Sequence, residues 1–145
     1  MPRVSAAFFV TGGLFVLMGM FGGMWMGMNE DFRLMPVHAH LNLLGWVTMA
    51  LYGGFYALTA KTYSKRLAWT NYALSTVGVI VMIPLLAVFL LTQNKALAPF
   101  MGIGELISVS SLVVFLISAV RELIRRRPAL DAEASDVDPV RLAAE

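Results

Sequence analysis

The chain has 145 residues, of which 59% are hydrophobic and 14% charged, with no cysteine and a formal net charge of +2. A soluble globular domain carries about 25% charged residues, so this composition excludes that class and describes a chain held mostly in lipid. Without cysteine, disulfides, thiolate zinc sites, iron–sulfur clusters and covalently attached c-type haem are excluded as well.

Four apolar segments follow one another at 4–28, 37–60, 67–91 and 98–120. Each is long enough to cross a hydrocarbon core that needs about 20 helical residues. The fold class read from this pattern is all-α: an integral membrane bundle of four transmembrane helices. A single transmembrane domain is expected at 1–127, followed by a cytoplasmic tail at 128–145 that is acidic, poor in aromatics and solvated. The first segment starts at the basic Arg3. Its apolar run is too long for a signal-peptide core and lacks a small-x-small cleavage site, so it is expected to remain in the mature protein. Within it, Gly19, Gly23 and Gly27 are spaced to let another helix approach closely. Met18, Met20, Met24, Met26 and Met28 share this segment as packing and lipid-facing residues, or as thioether donors to haem iron or Cu(I).

The connections near 29–36, 61–66 and 92–97 are short, so successive helices run antiparallel beside one another. Pro84 falls near the middle of the third segment, where it removes a backbone donor and is expected to kink the helix. There is no repeat of 20–50 residues and no low-complexity run.

Charge placement sets the orientation. Arg3, Lys61, Lys65, Arg66 and the 121–127 stretch put eight basic residues on one side, against Arg33 and Lys95 on the other. By the positive-inside rule both termini are cytoplasmic and the chain is a multi-pass protein of the inner (plasma) membrane. The basic residues are dispersed at helix ends and form no solvent-facing groove, so nucleic acid is excluded as a partner. Membrane lipid is the expected surroundings.

His38 and His40 are the only histidines, at the start of the second segment. An imidazole inside a bilayer is costly to leave unpaired, so the pair points to a buried metal or haem site near the periplasmic face. The plainer reading is one histidine capping the helix and the other facing the headgroups. Two residues along a helix turn through about 200° and rise about 3 Å. The two rings therefore point to nearly opposite faces, and one chain cannot bring both to one metal ion. A second chain or a methionine must complete such a site.

His38-Ala39-His40, followed after twelve residues by Gly53-Gly54-Phe55, resembles the His-x-His helix of subunit I of the haem-copper oxidase and nitric oxide reductase superfamily. The likeness covers mainly the second helix. Family members place haem on both histidines of this helix and build a copper site from further histidines, which this chain lacks. A complete O₂- or NO-reducing centre in one protomer is thereby excluded. The family core has twelve helices in three four-helix units, so the resemblance implies a homotrimer of this chain closing a ring. It further implies one b-type haem held between His40 of one protomer and His38 of its neighbour, a six-coordinate iron suited to electron transfer. The expected partners are then a second and third copy of the chain and a quinol or redox protein. The alternative is a copper site with three His38 rings at the trimer axis, or a high-spin haem that binds NO or O₂.

Several residues fall into place around such a group. Glu105, about 10 Å below the outer end of the fourth helix, would accept a hydrogen bond from a ligating imidazole, serve as a proton-pathway acid, or bond a neighbouring helix. Asn42 follows His38 by four residues and shares its face, to orient that ring or to bond another helix. Gly45, one further turn along, would admit a porphyrin edge. Arg33 and Lys95 stand where haem propionates would emerge, or act as plain interface anchors.

Overall fold

The computed structural model describes residues 1–125, and these are all-helical between short connections. Four helices are long and apolar enough to cross a membrane: α1 (Arg3–Asn29), α2 (Met35–Leu58), α3 (Lys65–Thr92) and α4 (Lys95–Leu123). The four expected spans are present, each within a few residues of its expected limits. The tail at 128–145 lies outside the described residues. α1 and α3 each end on a residue in the left-handed conformation, Glu30 (φ 53°) and Gln93 (φ 54°), which bends the chain out of the helix and closes the short turn. α3 runs unbroken through Pro84.

α1 and α2 form one antiparallel hairpin, and α3 and α4 the other. Glycines set both contacts. A Cβ on Gly12 would stand 3.2 Å from the Gly45 carbonyl, and one on Gly104 would stand 3.0 Å from Met82 Cα. Gly78 likewise gives its space to Ser108. Such close approach maximises dispersion contacts, the main attraction available between helices in lipid.

The hairpins are clasped at the end that carries Arg3, Lys61, Lys65, Arg66 and Arg121, here the basic end. Val4, Phe8, Met49, Tyr52, Tyr56 and Ala68 form its buried core. Phe8 packs edge-on to Tyr72 at 5.2 Å, and Tyr52 meets Phe115 at 4.4 Å. Polar groups tie the same region. Asn71 Nδ2 donates to Tyr56 Oη (3.2 Å), and Tyr56 Oη donates to Ser118 Oγ (3.3 Å), joining α3, α2 and α4. Ser75 Oγ donates to the Asn71 carbonyl (2.8 Å), and Thr62 Oγ1 donates to Glu122 (2.7 Å). Inside a bilayer Asn71, Tyr56 and Ser75 would otherwise lack partners.

Toward the opposite, distal end, α2, α3 and α4 line a groove between them. α2 changes winding there: Leu43–Thr48 is a π-helical segment between two α-helical ones. On a regular α-helix, residues four apart advance about 40° around the axis, and the wider π turn holds that advance back. His40, Leu44, Thr48 and Tyr52 therefore stay on one line facing the groove.

Candidate functional site at the distal end

Met35–Asn42 opens α2, with Pro36 in its first turn, where a missing N–H costs nothing. It carries both histidines, and the structure gives them different surroundings. His38 lies in a cleft of about 190 Å³ against α1, lined among others by Gly19, Gly22, Trp25, Met18 and Met26. His40 lies on the other side, in a groove of about 410 Å³ shared with α3 and α4. The rings diverge as their spacing requires.

His40 is exposed, and its Nδ1 is 2.7 Å from the Pro36 carbonyl. A carbonyl oxygen only accepts, so Nδ1 carries the proton and Nε2 keeps its lone pair. A backbone carbonyl that takes the proton of one ring nitrogen in this way fixes the tautomer and leaves the other nitrogen as an acceptor.

His38 is held on both sides. Its Nδ1 donates to the Gly19 carbonyl of α1 at 2.9 Å, and its Nε2 accepts from Asn42 Nδ2 at 3.0 Å. The Gly19 carbonyl thus fixes the tautomer, and the tautomer fixes which way the Asn42 amide faces. Asn42 Oδ1 is left buried with no hydrogen-bond partner. Gly19 and Gly23 make room for this pair: Gly19 gives its space to the Asn42 amide, and a Cβ on Gly23 would lie 2.8 Å from His38 Cε1. Gly27, by contrast, has nothing within 4 Å of a built Cβ.

The remaining expected site residues separate. Glu105 shares the groove with His40, although the hydrogen bond of His40 Nδ1 goes to Pro36. Gly45 gives its space to Phe15 of α1, whose Cβ would stand 2.9 Å from an added one. Of the methionines, Met18 and Met26 border the His38 cleft, while Met20, Met24 and Met28 are exposed. Arg33 forks onto Asp31, with Nε at 3.0 Å and Nη2 at 2.6 Å. The Arg33 hydrogen bond and charge hold the Asp31 carboxyl at about 2, and Asp31 raises Arg33 in return. Lys95 is exposed at the start of α4.

Sequence reasoning missed the hydroxyls of the groove, Thr48, Ser75, Ser108 and Ser111, and the ring of Tyr52. Their signal was present: Ser75, Ser108 and Ser111 are polar residues deep inside apolar spans. No group of three or more His, Asp or Glu able to hold a metal ion exists among the described residues. Comparison with family models, curated proteins and solved structures gave no match for this chain.

Proposed function

We propose that this is a b-type cytochrome of the plasma membrane, with both termini cytoplasmic, that transfers electrons through haem held at the interfaces of a homotrimer. The observation that carries the reading is the pair of clefts. His40 and His38 line separate openings on different sides of one four-helix unit. A head-to-tail contact, the kind that closes into a ring, brings two such different faces together. His40 of one protomer and His38 of its neighbour would hold the haem iron, each through its Nε2. His40 fits this role as it stands. His38 fits it once Asn42 releases Nε2, since Nδ1 is already committed to Gly19.

A haem iron held by two histidines would supply one-electron transfer chemistry. The chain's own contribution is to fix both imidazole tautomers through backbone carbonyls, to exclude water with the apolar walls of the clefts, and to place Glu105 in the His40 groove. Arg33 meets a propionate only by sharing itself with Asp31; Lys95 is the other distal cation.

One observation favours a second reading. With His38 Nε2 occupied by Asn42 and His40 Nε2 free, His40 alone would give a five-coordinate, high-spin haem that binds CO or NO. Absorption spectra of protein purified under haem-replete expression test both. Low-spin haem extractable by acidified solvent, lost in both His38→Ala and His40→Ala, supports the cytochrome. A CO-binding high-spin spectrum lost only in His40→Ala supports the second reading. Colourless protein, with or without copper, sinks both.

A further inference from the structure

His38 has no free ring nitrogen. The one that could bind a metal, Nε2, accepts from Asn42 Nδ2, while Nδ1 is bonded across the helix interface to Gly19. Asn42 makes this bond at a cost to itself, because its Oδ1 is buried without a partner, and a buried polar atom without a hydrogen bond is expensive and rare. The space for the amide is built into α1 at Gly19.

A side chain seated in a made-to-measure notch, with one end satisfied and the other orphaned, is poised to turn. We propose that Asn42 is a positioning residue that caps His38 Nε2, so that the His38 cleft accepts a metal centre only when Asn42 turns away. The cap keeps a lone imidazole satisfied inside the membrane while the chain is a free protomer. The Gly19 carbonyl meanwhile keeps His38 in the tautomer that presents Nε2 to an incoming group, so that uncapping alone readies the ligand. This proposal rests on the haem reading above and concerns how that site is regulated.

The full-length protein in detergent, purified without haem, tests it with haemin as the probe. Asn42→Leu preserves the shape of the side chain and removes the donor; Asn42→Ala covers the case where leucine does not pack. The first readout needs no haem: the ¹⁵N imidazole signals of His38. Wild-type protein should show Nδ1 protonated and Nε2 hydrogen-bonded, and the variants should keep the first and lose the second. The second readout is haemin titration, in which the variants should bind about fivefold tighter with a larger low-spin fraction, the effect of removing one competing hydrogen bond.

Unchanged His38 signals in both variants would show that Asn42 is no cap. Altered signals with unaltered haemin affinity, while His38→Ala still abolishes the low-spin form, would overturn the gating alone. A low-spin spectrum that survives His38→Ala would overturn the proposal through the reading beneath it.

Discussion

A methyl group at Gly23 would stand 2.8 Å from Cε1 of His38, closer than two such atoms approach. The helix–helix contact at this level is therefore fitted to a residue 23 without a side chain, and an added methyl would have to displace the imidazole. Gly27, one turn on, faces open space. Gly23→Ala is expected to push the imidazole off its Gly19 carbonyl and to destabilise the fold by about 1–3 kcal/mol. Gly27→Ala should instead raise stability by about 0.5–1 kcal/mol, from helix propensity alone. Thermal unfolding in detergent reads both, and equal effects in the two variants would contradict the glycine-to-histidine contact.

The clasp at the basic end predicts a coupled pair. Tyr56→Phe removes the acceptor of Asn71 Nδ2, and Asn71 is fully buried. A loss of about 1–3 kcal/mol is expected from the orphaned amide. Adding Asn71→Leu removes the orphan as well, so the double variant should recover part of that loss. Additive losses in an unfolding cycle would mean that the two residues do not interact.

Mixed assemblies test ligation across an interface. His38→Ala and His40→Ala chains, co-expressed with different tags, should form some sites that contain His40 from one chain and His38 from its neighbour. Partial recovery of low-spin haem is expected. Mixed assemblies confirmed by tag pull-down but lacking low-spin haem would point to ligation within one chain.

The distal loop predicts a pH effect. The Arg33 fork holds Asp31 at about 2, below its usual 3.8. Because the folded loop favours the charged form, its contribution to stability is fully present above about pH 4 and is lost as the pH falls through 2. NMR titration of Asp31 should show that low midpoint, and Arg33→Gln should return it toward 3.8.

Four spans, their approximate limits and the divergence of His38 from His40 were legible in the sequence alone. Hydropathy over about 20 residues and a fixed turn of about 100° per residue are local properties, independent of what packs against them. Other features came from contacts between distant segments. Gly45 looked open to a ligand, yet Phe15 of α1 fills its space; Gly19 and Gly23 looked like a generic close-packing stripe, yet they hold Asn42 and His38 in particular. The π segment Leu43–Thr48, which keeps His40 and Tyr52 in one groove, has no local signature, because a wider turn forms only where its neighbours offset the cost of departing from α-helical bonding. The hydrogen-bond partners of the two imidazoles, a carbonyl of α1 for one and of α2 itself for the other, were likewise decided by tertiary structure. A ring nitrogen takes whichever partner the packed helices place within 3 Å of it.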